Sequence, residues 1–382
     1  MSPSASSYHR LCSIALLTLA LLAASHARER GPRVEVTCPV PPIPVAIDKQ
    51  QVLVYELHVT NFDAVQLTLK SIDVFADAEG TGPLISLADK NLSAAITRAG
   101  SGVGGGTKNA ETIEPGARSI VFMWIELERR PVPALLKHRM VFAPAGENAK
   151  EAVLDAFSVR VSQDSVPTLS PPFKGGIWLA GDGPANDSNH RRSIFAIDGG
   201  IYSPERFAVD WDKIGSNGDI RHDGNSQNDN WWGWGEPVLA VADGEITEVV
   251  DSFPDNVPRN LPPVTLDNIA GNHVILQIAP NRFVTYAHLQ NGNIKVKLHE
   301  RVRRGDVLAL LGNSGNSTGA HLHLQVTDRN SVLQSQGVPF VFDRFTYLGP
   351  GSDYPEKQVS IPRMNSMPPG NGVLEFESRK TH

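Results

Sequence analysis

The feature that most constrains this chain is a two-residue alternation of apolar and polar side chains, repeated in short segments along almost its whole length. Between Val34 and Val161 it appears in QVLVYELHVTNF and SIVFMWIELE, separated by Gly-rich and Asn/Asp-containing turns of which RAGSGVGGGTKN is the longest. Successive side chains of an extended strand point to opposite faces, so this period predicts half-buried strands. The pattern returns in PVLAVADGEITEVV, NHVILQIA, RFVTYAHL, DVLALLG and HLHLQVT, and no long segment shows the 3.6-residue period of an amphipathic helix. The expected fold is therefore all-β. An antiparallel β-sandwich, immunoglobulin-like in one version, is assigned to 34–165, and a second, mostly antiparallel β domain to 170–347. The stretch SVPTLSPPFKGG (165–176) has the proline and glycine content of the boundary between them, while the polar segment 348–382, containing MPPGNG, is expected to be a loosely ordered tail.

The N-terminus is read separately. Arg10 precedes the apolar run CSIALLTLALLAA, and Ser25 and Ala27 occupy the small-residue positions of a signal-peptidase site, so residues 1–27 are expected to be a secretory signal cleaved after Ala27. The run is too short to span a bilayer comfortably, which disfavours an uncleaved anchor. Neither Cys12 nor Cys38 follows the small-residue pattern of a lipoprotein box. The expected destination is the periplasm or the exterior, with no stable membrane anchor. Cleavage leaves Cys38 as the sole thiol, which excludes an intrachain disulfide and a thiolate zinc cage, so any metal must be held by histidine and carboxylate. The formal charge of −6 becomes −7 once Arg10 is lost, and no basic block marks a nucleic-acid footprint.

Chemistry concentrates in GAHLHLQV (319–326). Leu322, Leu324 and Val326 alternate with His321, His323 and Gln325, which puts both imidazoles on one face of a strand. Two such histidines can share a metal, or one can bind metal while its neighbour handles protons. The competing interpretation is a strand with an ordinary solvated polar face. Two further residues are candidate partners: His288 at the end of the apolar segment TYAHLQ, and Asp210 in RFAVDWD. Taken singly, each is equally at home as a core histidine or a strand-end carboxylate.

Five blocks, RFAVDW, GEPVLAVADGEITEVV, GNHVILQI, FVTYAHLQ and VRRGDVLALLGNSGNSTGAHLHLQV, follow one another between about residue 204 and residue 327. In content and order they resemble the lysostaphin-type (LytM-like) zinc endopeptidases, which cut peptide cross-bridges or stem peptides in bacterial cell walls. The last block is the most specific, because the turn Ser317-Thr318-Gly319 precedes the two histidines with the family's spacing. The resemblance implies a small antiparallel β fold of the duplicated hybrid motif, with a groove floored by a sheet. Position by position it also implies that Asp210 and His323 ligate one zinc ion and that His288 and His321 flank the bound water and the scissile carbonyl. Zinc with an open coordination position lowers the pKa of bound water to roughly 7. One of the two histidines would then accept the water proton and pass it to the leaving amine, and the other would stabilise the developing oxyanion.

The chain departs from the family pattern at its first metal ligand, a histidine four residues before the aspartate, where this sequence has Arg206. Arginine stays protonated and cannot ligate zinc. On an extended strand Arg206 and Asp210 share a face, so the guanidinium is within reach of the carboxylate. Placed about 4 Å from a zinc ion, it would be repelled by roughly 8 kcal/mol at an effective dielectric near 20. Two outcomes follow. Either Arg206 turns away and another group completes the site, with His190 in NDSNHRRSIF the first substitute and His222 in GDIRHDGN the second, or Arg206 replaces the metal and hydrolysis is lost.

Two other segments bear on a wall polymer as partner. NDNWWGWGEP gathers Trp231, Trp232 and Trp234, which serve equally well as an aromatic rim for substrate or as hydrophobic anchors of a loop. The insertion 251–271 carries Pro254, Pro258, Pro262 and Pro263, which stiffen a loop expected to narrow the groove. The expected function is zinc-dependent hydrolysis of peptidoglycan peptide bonds. The alternative is an inactive peptidase-like module that binds wall or regulates another wall hydrolase.

Overall fold

The computed structural model describes residues 31–77, 82–102, 108–147, 149–222 and 227–377; the expected signal segment, 1–27, lies outside them. The regular elements of the described residues are strands with only short helical segments, in agreement with the all-β expectation. Among them, no helix is long and apolar enough to cross a membrane.

Among the described residues, the first part of the chain forms two five-stranded sheets. One holds Val34–Thr37, Val45–Ile47, Gln50–Asn61, Ile96–Arg98 and Arg118–Glu126; the other holds Leu67–Ala76, Ile85–Ala88, Thr112–Ile113, Leu135–Pro144 and Ala152–Arg160. Their inner faces enclose a core that includes Leu53, Tyr55, Leu57, Val59, Leu69, Ile72, Val121, Met123, Met140 and Phe142. The alternation predicted for Gln50–Asn61 is present, yet the strand is buried on both faces from Val52 onward. Leu53, Tyr55, Leu57 and Val59 face the sandwich core, whereas Val52 and Val54 join the core of the second part of the chain. Glu56 and His58, the polar members of the alternation, are therefore buried too, at 2% and 3% exposure.

The second part is built on one sheet of eleven strands among the described residues. Its middle runs Gly176–Gly181, Val209–Ile214, Leu322–Thr327, Arg282–Leu289, Asn272–Ala279 and Gly244–Val250, each antiparallel to its neighbour. Trp178, Trp211, Tyr286, Leu322, Leu324 and Val326 fill the core on one face of this sheet. The other face carries the candidate residues described below.

The expected tail is corrected by the structure. Val341–Pro350 runs beyond residue 347, Ile361–Ser366 pairs with it, and Gly372–Phe376 lies between Val341–Pro350 and Gly176–Gly181 in the main sheet. The polarity of this segment misled because a short strand inside a sheet needs little hydrophobic sequence: Met367, Val373, Leu374 and Phe376 are buried, while Val359 and Met364 stay exposed. The same segment docks on the sandwich: Met367 donates its N–H to the Ala46 carbonyl at 2.8 Å, and Arg363 Nε lies 2.9 Å from Asp48 Oδ1.

Candidate metal centre and cleft

Antiparallel pairing of Val209–Ile214 with Leu322–Thr327 sets Asp210 directly opposite His323. Opposed residues share a face with their Cβ atoms only about 5 Å apart, so the two side chains meet: His323 Nδ1 lies 2.9 Å from Asp210 Oδ1. Gln325, two residues on and on the same face, takes the other ring nitrogen of His323 at 3.0 Å. On the far side of Asp210, the strand Gly176–Gly181 ends at Gly181, opposite Asp210. A Cβ there would meet Asp212 Oδ2 at 3.2 Å and the Asp210 carbonyl at 3.3 Å, so glycine lets the chain leave the sheet close to the carboxylates.

The chain leaving at Gly181 forms the loop that carries His190. Asn189–Arg192 is a single helical turn whose start is capped by Ser188 Oγ, which accepts from the Arg191 N–H at 3.1 Å. His190 Nδ1 donates to the Asp182 carbonyl at 3.0 Å, and its Nε2 stands 3.5 Å from Asp210 Oδ2. His190, Asp210 and His323 thus offer ligand atoms that all lie within 4.8 Å of one another. Their chemistry fits zinc: two imidazoles and a carboxylate form a three-ligand set with room for a fourth group. Each imidazole has its outer nitrogen engaged, on the Asp182 carbonyl or the Gln325 amide oxygen, which is the arrangement that fixes ring orientation in histidine metal sites.

His321 and His288 complete the cleft. His321 Nδ1 donates to the Gly319 carbonyl at 2.9 Å, and its Nε2 is 3.5 Å from Asp210 Oδ2. His288 lies where the register of its strand against Asn272–Ala279 shifts, and its φ of 61° is in the left-handed region rarely used by histidine. The bulge turns the ring toward His321, at 4.8 Å between centroids, while Nδ1 donates to the Ser314 carbonyl at 2.9 Å and leaves Nε2 free. The cleft has a volume of about 470 Å³, with Asp182, Glu205, Ile269 and Ala270 also in its wall. Ile269 and Ala270 come from the proline-rich insertion, which therefore borders the cleft.

The electrostatics follow from three imidazoles around one partly buried carboxylate. Burial works against the charge of Asp210, but His190, His321 and His323 outweigh it and hold the carboxyl far below the usual range. Burial likewise pushes the His323 imidazole down, and the hydrogen bond and charge of Asp210 reverse this, leaving it at about 9. For His288, desolvation, assisted by His321 and His323, outweighs the opposing charge of Asp210, takes it well below 6.5 and keeps it neutral. Burial pushes Asp212 up to about 6, with Asp210 and Asp182 adding to the shift.

Arg206 is not on the strand with Asp210. The segment after Pro204 turns, with Ala208 N–H on the Glu205 carbonyl at 2.9 Å, and the strand begins only at Val209. The expectation that Arg206 and Asp210 share a strand face is thereby corrected. The guanidinium points to the outer face of the sandwich strand Gln50–Asn61 and grips both oxygens of Glu56, Nε to Oε1 at 2.9 Å and Nη2 to Oε2 at 2.8 Å, with Nη1 on the Gly337 carbonyl at 3.0 Å. Of the two substitute histidines, His190 stands at the cluster, whereas the His222 ring lies tilted against Trp232 at 3.5 Å between centroids. The tryptophans behave as loop anchors. Trp231 is buried at 7% exposure, Trp232 Nε1 donates to Asn217 Oδ1 at 3.1 Å, and Trp234 packs against the main core. Glu56, Arg191, Asp182 and Gln325 were not singled out in sequence; only Gln325, at the next same-face position after His323, carried a readable signal.

Residues 232–335 match the profile of peptidase family M23, a span that includes His288, His321 and His323 and begins after Asp210. The chain is 34% identical over 101 residues to the peptidoglycan DD-endopeptidase ShyA of Vibrio cholerae serotype O1, covering 26% of this chain and 20% of that protein. It is 30% identical over 104 residues to an uncharacterized metalloprotease of Buchnera aphidicola, covering 27% and 23%. The chain thus spans about a fifth of the length of the curated relatives it matches. The solved catalytic domain of lysostaphin from Staphylococcus simulans aligns with 42% of this chain and 86% of its own, at 22% identity and a TM-score of 0.24.

Proposed function

Because the chain carries a peptidase family M23 domain at residues 232–335, we propose that it is a zinc-dependent endopeptidase that hydrolyses peptide bonds of bacterial peptidoglycan outside the cytoplasm. The observation that carries this reading is the convergence of His190, Asp210 and His323 on one point beside His288 and His321 in a single cleft. In this reading His190, Asp210 and His323 hold the metal, and His190 takes the part left vacant by Arg206. Zinc bound there supplies Lewis acidity and a water acidified toward neutral pH.

The remaining chemistry belongs to the protein. His288, neutral and with Nε2 free, accepts a proton from the attacking water and returns it to the leaving amine. His321, oriented through its Nδ1–H on the Gly319 carbonyl, stabilises the charge that develops on the scissile carbonyl oxygen. Ile269 and Ala270 border the cleft and exclude water from one side of it. A wall peptide in extended conformation is the substrate class such an open, sheet-floored cleft accommodates.

Metal analysis combined with digestion of purified peptidoglycan tests the proposal. The protein should contain about one zinc per chain, as a single catalytic site requires, and release soluble peptide fragments; His323→Ala and His190→Ala should each lose both properties. Zinc-free protein without wall-digesting activity would overturn the reading and favour a noncatalytic wall-binding module.

A further inference from the structure

The loop that presents His190 is tied to the sandwich by several side-chain contacts. Arg191, the next residue, is fully buried: its Nη1 pairs with Glu56 Oε1, and its Nη2 donates to the Tyr55 carbonyl at 2.9 Å and the Met123 carbonyl at 3.4 Å. Arg192 donates to the Ala94 carbonyl at 2.8 Å and lies over the Phe122 ring at 4.2 Å. Asn186 Nδ2 donates to the Phe122 carbonyl at 3.0 Å. All these acceptors belong to the sandwich. Meanwhile Glu56 also receives Arg206 on both oxygens, so one buried carboxylate draws position 206 out of the cleft and anchors the neighbour of His190 beside it.

We propose that the N-terminal sandwich completes the metal site of the second domain from outside, with Arg191 as the positioning residue that holds His190 at Asp210 and His323. The proposal rests on the reading of these three residues as metal ligands. In a three-ligand site the position of each donor is set by the groups behind it, and loss of such a supporting partner typically weakens metal binding roughly 10- to 100-fold. Behind His190 the support consists of the Asp182 carbonyl, which fixes the ring, and the Arg191 and Arg192 contacts, which fix the backbone turn. Severing the latter frees the turn to leave the cleft.

Arg191→Met in the full chain is the informative variant, because Glu56 keeps its bidentate partner Arg206 and no buried carboxylate is stranded. Zinc affinity is read by competition with a chromogenic chelator, and amide hydrogen exchange is read over residues 182–193 in metal-free protein. Arg191→Met should weaken zinc binding roughly 10- to 100-fold and raise exchange in 182–193 selectively. Arg363→Met, which breaks the Asp48 contact between the same two parts of the chain far from the loop, should leave zinc affinity unchanged. Unaltered zinc affinity and exchange in Arg191→Met, or equal weakening by Arg363→Met, would overturn the proposal. If Arg191→Met does not fold, Arg192→Met, which removes the contacts to Ala94 and Phe122, is held to the same two outcomes. If the unsubstituted protein binds no zinc, the ligand assignment fails, and exchange in 182–193 still decides whether the sandwich holds the loop.

Discussion

Gly319→Ala offers a demanding test of how the turn before the two histidines works. Gly319 does not use a left-handed backbone, so alanine is conformationally admissible, and restricting the unfolded chain would by itself stabilise the protein by about 0.4–1 kcal/mol. The obstacle is space: the added Cβ would lie 2.4 Å from Trp231 Nε1 and 2.5 Å from Cε2, against about 3.5–4.0 Å for a relaxed contact, so the ring or the turn must retreat by about 1 Å. Trp231 cannot swing freely. The residue is 7% exposed, and the backbone that carries the ring is held by its amide N–H on the Asn228 carbonyl at 3.0 Å and by its carbonyl, which accepts from the Trp234 amide. Overpacking of this kind costs about 1–3 kcal/mol, which against the unfolded-state gain leaves a net destabilisation of up to about 2.6 kcal/mol. At roughly 2–4 °C per kcal/mol, a clear fall in melting temperature is expected. Activity should fall further, because the Gly319 carbonyl orients His321 and a displacement near 1 Å in a catalytic group costs up to about 100-fold. Thermal unfolding of metal-free protein and the rate of peptidoglycan digestion measure both. A variant as stable and as active as its parent would refute the packing argument.

Proton competition gives a second expectation. Asp210 raises His323 from 6.5 to about 9 in the metal-free chain, so the stability this pair contributes is fully present below pH 6.5 and is lost as the pH climbs through about 9. Zinc must displace the same proton, so apparent affinity should rise about tenfold per pH unit between pH 7 and 8, with a proton released on binding at pH 7; a flat profile in chelator competition would contradict the Asp210–His323 coupling. His288→Asn should keep stability within about 1 kcal/mol, since asparagine tolerates the left-handed backbone. It should also lower the hydrolysis rate by about 10²–10⁴, whereas His288→Val should add about 1–3 kcal/mol of destabilisation at that φ, measurable by denaturant unfolding.

The parts of the molecule that were legible beforehand rest on interactions within a few residues of one another or on a strict period. Alternation identified the strands Gln50–Asn61, Asn272–Ala279 and Leu322–Thr327, and put His321, His323 and Gln325 on one side, because the pleat has a period of two whatever the rest of the chain does. Polarity misread residues 361–376, which become strands only because neighbouring strands complete their hydrogen bonds. His288 stood out at the end of the apolar segment TYAHLQ, and the resemblance to lysostaphin-type enzymes gave it a role, but the bulge that turns it inward arises from pairing between two strands and leaves no trace in that segment.

By itself, then, the sequence determined an all-β chain with a paired-histidine strand and a vacancy where a third ligand was expected. Only tertiary structure decided what occupies the neighbourhood of that vacancy. Glu56 is 135 residues from Arg191 and 150 from Arg206, and in sequence it is simply a polar residue on an alternating strand. Its burial against the second part of the chain turns it into a charge that must be paired, since a carboxylate removed from water without partners costs several kcal/mol. The two arginines that satisfy it set the direction of the Arg206 side chain and the place of the loop bearing His190. No local spacing encodes such a contact; it exists only once the two parts of the chain close on each other.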